Sequence, residues 1–387
     1  MHIRLWKCYL YMKSKIILVG PLPPPNHGQS MSFAMLVDVM SKTHSIKVVD
    51  IADRRKKINS GFFGKLARVR SYIFPLLVYL WHVITNDARI YLTISQSRYG
   101  FLRDLIFIWG ASFFGRKVVV HLKGGNYHNF YEGETRLMQC LIRHTLLKTE
   151  RILVLGKKLV HMYDFEPNLR DRIFIVENGL PFESPKEKFK FLGEGSIRLL
   201  FLSNLIESKG YLDVLEAVKR LVDDGYDIRV DFAGAFLCNV DDTNIRSEKE
   251  AKLQFERFVI DSNLSDIVTY HGTVGGESKL QLLRSANVFI LPTNYNNEGQ
   301  PVSIIEALAF GIPIIATDYR AIPDMLVNGE TGFFVKYKSP QSIVDAVKCV
   351  SEPEAYVKMS QNCLALFDKK FTREAHISRI LKHILGE

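Results

Sequence analysis

The sequence predicts an α/β protein of two doubly wound domains, and three observations carry that expectation. Short, β-branched-rich strands alternate with segments of helical period. The alternation runs twice, once on each side of a stretch without sustained period. At 387 residues the chain is too long for one ordinary core and comfortable for two.

In the first half the strand-like runs are KIILVG (15–20), IKVVD (46–50), ARIYLTI (88–94), KVVVHL (117–122), RILVLG (151–156) and RIFIVE (172–177). Helical period lies between them, as in residues 31–40 and 134–148. Continuous apolar runs of this kind are what strands buried on both faces of a parallel sheet require. The second half repeats the theme with IRLLFL (197–202), IRVDFAG (228–234), IVTYHG (267–272), ANVFILP (286–292) and IPIIAT (312–317), separated by helical stretches such as 211–222 and 250–262. Residues 178–196, rich in Gly, Pro, Lys and Glu, read as the linker. The domains are therefore expected at 1–177 and 197–370, facing a central cleft. The last segment, 371–387, is helical in pattern and expected to cross back to the first domain. Ligands of such sheets sit beyond the carboxyl ends of the strands.

Composition sets limits on the function. Apolar residues make up 47% and charged residues 24%, an ordinary globular balance. Five widely spaced cysteines with no CxxC pair argue against a disulfide framework or a zinc site and fit a reducing cytoplasm. Arg4, Lys7, Lys13 and Lys15 interrupt the first fifteen residues, so no secretory signal is expected there. The apolar run 72–84 would rise only ~20 Å as a helix, short of the ~30 Å hydrocarbon core of a bilayer.

Charge is unevenly divided. Residues 1–177 hold 27 Lys and Arg against 12 Asp and Glu, a net of +15; residues 178–387 hold 24 against 29, a net of −5. The first half is expected to face something anionic. No helix-turn-helix, zinc-finger or RNP pattern points to nucleic acid. The basic residues Arg54, Arg55, Lys56, Lys57, Lys65, Arg68 and Arg70 precede the aromatic-apolar run YIFPLLVYLW, as an interfacial segment on anionic lipid would require; a basic loop before a core helix is the plainer reading.

The most informative stretch is residues 294–332, NYNNEGQPVSIIEALAFGIPIIATDYRAIPDMLVNGETG. It starts where a strand ends, and Pro301 places a helix start at Val302-Ser303. Two carboxylates eight apart on one helix would be ~12 Å apart and turned away from each other. With Glu298 in the loop and Glu306 one turn inside the helix, both can converge on a molecule at the helix N-terminus. Unpaired N–H groups there favour phosphate, and carboxylates beside it suit sugar hydroxyls.

This stretch resembles the signature of retaining glycosyltransferases of family 4 (glycosyl transferases group 1), which have the GT-B fold. The resemblance rests on Glu298, Glu306, Ala307, Ala309, Gly311, Pro313, Ala316, Thr317, Asn328, Gly329 and Gly332. It implies that Glu306 holds the nucleotide ribose and that Glu298 meets the transferred sugar. The backbone of Gly299, Gln300, Val302 and Ser303 would then lie near sugar and diphosphate. In FLSNLIESKG (201–210), Lys209 and Gly210 match the family's diphosphate loop, but Asn204 stands where an Arg is expected. YHGTV (270–274) resembles the segment lining the base pocket through Thr273 and Val274, with His271 read as structural. In GPLPPPNHGQS (20–30), Gly28 matches a loop that meets phosphate and acceptor; the sequence is neither GxGxxG nor a P-loop. In VVVHLKGGNYHNFY (118–131), His121 and Lys123 compete for the place of a His near the reacting carbon, His121 being favoured and His128 weaker.

The expected activity is therefore transfer of a sugar, with retention, from a UDP- or GDP-sugar to a glycan or lipid-linked acceptor in surface polysaccharide synthesis. Neither cofactor nor metal is expected, since no Asp-x-Asp follows a strand and a helix N-terminus with basic side chains can take the diphosphate. Glu298, His121 and Lys209 are the expected catalytic groups. Other readings remain open: a silent sugar-nucleotide-binding or assembly subunit, or a GT-B epimerase or phosphorylase. The protein is expected in the cytoplasm, peripheral at the inner face of the membrane.

Overall fold

A computed structural model describes residues 15–24, 28–52, 62–185, 195–239, 242 and 244–386, and for 62–73 the backbone alone. The first fourteen residues, the run Arg54–Lys57, part of the loop before Gly28 and residues 186–194 of the linker lie outside the described residues. The chain divides into two compact units, Met1–Pro181 with Arg373–Glu387, and Phe182–Thr372.

The first unit is built on a parallel six-stranded sheet: β1 (Lys15–Gly20), β2 (Ile46–Asp50), β3 (Ala88–Ile94), β4 (Val118–Leu122), β5 (Arg151–Val154) and β6 (Ile173–Ile175). The order is β2-β1-β3-β4-β5-β6. Its helices are α1 (Gly28–Thr43), α2 (Phe62–Thr85), α3 (Arg98–Phe113), α4 (Tyr127–Glu132) and α5 (Arg136–Leu146). The apolar run 72–84 is thus the second half of a longer helix. Among the described residues no helix is long and apolar enough to cross a membrane. The C-terminal helix Arg373–Leu385 is amphipathic, and its Ile377, Ile380 and Ile384 enter a core with Ile16, Leu18, Phe33, Leu36 and Tyr91. Burying each such side chain stabilises by about 1.5–3 kcal/mol, and Arg89 Nη1, which donates to Ile384 O at 3.1 Å, anchors the helix end.

The second unit holds another parallel sheet: β7 (Ile197–Leu202), β8 (Ile228–Ala233), β9 (Val268–Tyr270), β10 (Val288–Leu291), β11 (Ile314–Thr317) and β12 (Gly332–Val335). Helices α6 (Tyr211–Asp223), α7 (Glu248–Asp261), α8 (Gly276–Ser285), α9 (Val302–Ala309), α10 (Pro340–Val350) and α11 (Pro353–Lys370) complete it. The order β12-β11-β10-β7-β8-β9 is the doubly wound order, which reverses direction between β7 and β10. Every residue of β10 and β11 is buried, which explains their unbroken apolar sequences. The strand β12 has no counterpart among the strands expected from sequence. It is four residues at the sheet edge, directly after the turn at 329–331.

Candidate active site

In the second unit Lys209 and Glu298 meet at the switch point, on the loops that follow β7 and β10. Gly210 ends the β7 loop at φ +78°, and a Cβ there would lie 2.6 Å from the carbonyl oxygen of Pro292. Only glycine permits both the left-handed backbone and that close approach. Asn294 N donates to Ser208 O at 2.7 Å and fastens the two loops together. Lys209, on the first loop, therefore stands against the second. Its Nζ lies 3.4 Å from Glu298 Oε2, donates to Ser203 Oγ at 2.8 Å, and sits 5.2 Å from the ring centre of Tyr295.

Glu298 is buried and also accepts from Thr293 Oγ1 at 3.3 Å. Thr317 Oγ1 in turn donates to Thr293 O, so the end of β11 braces the same loop. Gly299, Gln300 and Pro301 are buried behind it, and Val302 and Ser303 open α9 partly exposed. The helix stops cleanly: Gly311, at φ +64°, donates its N–H to Leu308 O while Ile312 N reaches Ala307 O, a paired closure that satisfies the last carbonyls.

Glu306 lies one turn into α9 and is buried. Its Oε1 accepts from Lys279 Nζ of α8 at 2.5 Å. Burial raises the Glu306 carboxyl above its ordinary range, and Lys279 opposes that rise. Nothing in the sequence singled out Lys279, which sits in a charged helix twenty-seven positions away; the ion pair is a tertiary product. Thr273 and Val274, on the loop that precedes this helix, are exposed and half-buried respectively. His271 pairs through Nε2 with Asp231 Oδ1 at 2.6 Å, a structural role.

Asn204 is exposed at the end of β7, and its Oδ1 accepts from Ala235 N at 3.4 Å, linking the β7 and β8 loops. Glu207, also unremarked in the sequence, accepts from Asn244 N and Ile245 N, at 2.9 and 3.2 Å. It ties residues 244–245 to the loop of Lys209.

The first unit places its expected residues separately. Gly28 is exposed at the first position of α1. His121, on β4, is fully buried and its Nδ1 lies 2.8 Å from Tyr91 Oη. Burial, with Lys123 adding to it, holds its imidazole well below the usual range, so it is neutral. Lys123 lies just past the carboxyl end of β4, half-buried, and donates to Asn178 Oδ1 at 3.0 Å. Burial, helped by Arg379, pushes its ammonium down to about 7. His128 pairs instead with Glu132 along α4.

Residues 183–363 match the sequence profile of the glycosyl transferases group 1 family, and the fold of the chain is GT-B. Among curated relatives, an amylovoran biosynthesis glycosyltransferase of Erwinia amylovora is 24% identical over 48% of this chain and 44% of its own length. A capsular polysaccharide biosynthesis glycosyltransferase of Staphylococcus aureus is 23% identical over 60% and 55%. The chain thus spans about half the length of these relatives. Among solved structures, Anabaena HepE in complex with UDP superposes at TM-score 0.72 over 97% of this chain and all of its own, at 12% identity. Sucrose-phosphate synthase of Thermosynechococcus elongatus superposes at 0.67 over 97% and 99%, at 14% identity. At such identities these structures speak to the fold.

Proposed function

We propose that the protein is a glycosyltransferase of polysaccharide biosynthesis that moves a sugar, with retention and without metal, from a UDP- or GDP-sugar to a glycan or lipid-linked acceptor. One observation carries this reading: at the switch point of the second sheet, two buried glutamates, each paired with a lysine, flank the N-terminus of α9. The family profile matches this part of the chain, relatives of the chain are polysaccharide biosynthesis glycosyltransferases, and a structural neighbour was solved with UDP.

In this reading Glu306 accepts from the ribose hydroxyls, and Lys279 keeps its carboxylate charged for that purpose. The diphosphate takes the N–H groups of Val302 and Ser303 together with Lys209, which offset the negative charge that grows as the glycosidic bond breaks. Glu298 accepts from hydroxyls of the transferred sugar, oriented by Thr293 and Lys209. Thr273 and Val274 lie by the base. In the first unit, Lys123 rather than His121 is the group past the strand end, where ligands of doubly wound sheets sit; His121 supports it from within the core. Gly28 leaves room for the acceptor or phosphate. The acceptor is carried at a membrane surface.

The test is incubation with UDP- and GDP-sugars in chelator, with NMR of the product's anomeric centre. A product whose anomeric configuration is inverted relative to the donor, or activity that needs a divalent ion, would refute retention or metal independence respectively. Asn204 favours a second reading, a silent nucleotide-sugar-binding subunit, because it leaves Lys209 without the expected Arg on that loop. Donor binding with neither transfer nor slow hydrolysis would select it.

A further inference from the structure

The C-terminal helix Arg373–Leu385 carries two polar side chains into the first unit beside its isoleucines. His376 is fully buried, and Arg379 is partly so. His376 Nδ1 lies 2.5 Å from the carbonyl oxygen of Glu177, just past β6, and its Nε2 lies 3.3 Å from Ser32 Oγ of α1. A carbonyl oxygen can only accept, so Nδ1 carries the proton. Burial, with Lys123 and then Arg379 adding to it, holds this imidazole well below its usual range. It is therefore neutral, and Nε2 accepts from the Ser32 hydroxyl. Arg379 Nε lies 3.3 Å from Glu177 Oε2, so the helix grips residue 177 by both backbone and side chain. The next residue, Asn178, is buried, and its Oδ1 accepts from Lys123 Nζ at 3.0 Å. Among the described residues no carboxylate pairs with Lys123, which leaves the Asn178 amide as the contact that fixes its ammonium. The other ionisable groups of this cluster are His121 on β4 and His376, Arg379 and His383 on the helix, with Glu177 engaged by Arg379.

We propose that His376 is a positioning residue for Lys123: by fixing the Glu177 carbonyl it sets the place of the Asn178 amide, and that amide holds the Lys123 ammonium past the carboxyl end of β4. The inference rests on the reading of Lys123 as the ligand-facing group of the first unit and adds to it a residue from the far end of the chain. The coupling is geometric. The Glu177 carbonyl and the Asn178 N–Cα bond lie in one planar peptide unit, so a bond to the carbonyl fixes the plane from which the Asn178 side chain springs. An apolar residue at 376 would fill the same space, yet it would leave the carbonyl unpaired and that plane free to turn. Lys123 responds to its placement because burial first, and Arg379 second, set its ammonium at about 7. Released from Asn178 it would regain water and return toward the range of an ordinary lysine.

The test reads Lys123 itself in the full chain. Competitive labelling with fluorodinitrobenzene from about pH 5 to 11, followed by mass spectrometry of the Lys123 peptide, gives the pH at which that amine is half-protonated. Wild type should give about 7, against about 10.4 for exposed lysines. His376→Leu should raise the midpoint by about one unit or more, because relief of burial outweighs the loss of one neutral acceptor. His376→Asn keeps a donor at the place of Nδ1 and should stay with wild type. His376→Gln puts its amide at the place of Nε2 instead and should follow His376→Leu. Thermal melting shows which variants are folded; if His376→Leu is not, the Asn and Gln variants decide between them. A midpoint equal in His376→Gln and wild type, or an ordinary lysine midpoint in wild type, would overturn the proposal. In the transfer assay the pH midpoint of kcat/KM should move with the labelling midpoint across the same variants. Labelling that moves while that profile stays fixed bears out the positioning and refutes the ligand-facing role of Lys123 instead.

Discussion

Replacing Lys279 by Met probes the ion pair that the sequence did not disclose. Glu306 is buried and Lys279 is 27% exposed on its side chain. Breaking a fully buried pair by removing one partner costs about 3–5 kcal/mol. Partial exposure of the ammonium lowers that to about 1.5–3 kcal/mol, because water already screens part of the pair. The pH dependence carries the sharper test. The folded-state pKa of Glu306 is raised above the ordinary 4.5 by burial, and Lys279 limits the rise. Without Lys279 it climbs further, since nothing then offsets desolvation. A carboxyl with a raised folded pKa binds more protons folded than unfolded, so stability falls as pH rises from the ordinary value through the raised one. Lys279→Met should therefore be least stable relative to wild type at alkaline pH. The gap should close as pH falls and Glu306 protonates, since a neutral carboxyl does not need the lysine. Nucleotide affinity should run the other way: in the variant it should weaken on acidification at a higher pH than in wild type, as the ribose acceptor loses its charge. Thermal melts and calorimetric titration with UDP and GDP across pH 5.5–8.5, a range of about three units, read both. A stability gap independent of pH, with superimposable affinity profiles, would show that Lys279 does not govern the charge of Glu306.

Lys209→Ala should lower turnover more than nucleotide affinity, because the charge it meets is greatest in the transition state; steady-state kinetics showing only a raised KM would contradict that role. Gly210→Ala should cost about 1–3 kcal/mol, since it forces an L residue to φ +78° and drives a Cβ into the Pro292 carbonyl. Its effect should appear in thermal melting and in weakened nucleotide binding together, and a melt equal to wild type would mean the two loops are not held by this approach.

Much of the second sheet was legible because its central strands are buried on both faces, so β10 and β11 had to be written in unbroken apolar residues. The turn chemistry of Pro301 likewise fixed the start of α9. The edge strand β12 escaped because four residues after an N-G turn carry too short a pattern. At the site, the loop residues Lys209 and Glu298 could be named because the stretches that carry them resemble the family signature. Lys279 could not, because its spacing on α8 is that of any solvated lysine and only the packing of α8 beside α9 gives it a partner. His121 illustrates the converse: its sequence context favours a reacting group, while side-chain direction on β4 turns it into the core against Tyr91. Residue type and spacing do not state which way a strand residue points; Lys123, past the strand end, is the one that keeps some exposure to solvent.

One titration tests the nucleotide site most directly. If α9 and its two glutamates hold a nucleotide-sugar, the protein should bind UDP or GDP, and Glu306→Ala should lose about 1.5–3 kcal/mol of that affinity, roughly ten- to a hundredfold, as the ribose loses a charged acceptor. Calorimetry at neutral pH measures it, with thermal melting to show that the variant is folded. Binding by wild type and its weakening in the variant is the result expected. Affinity unchanged by Glu306→Ala, or no binding of either nucleotide by wild type, would contradict the site.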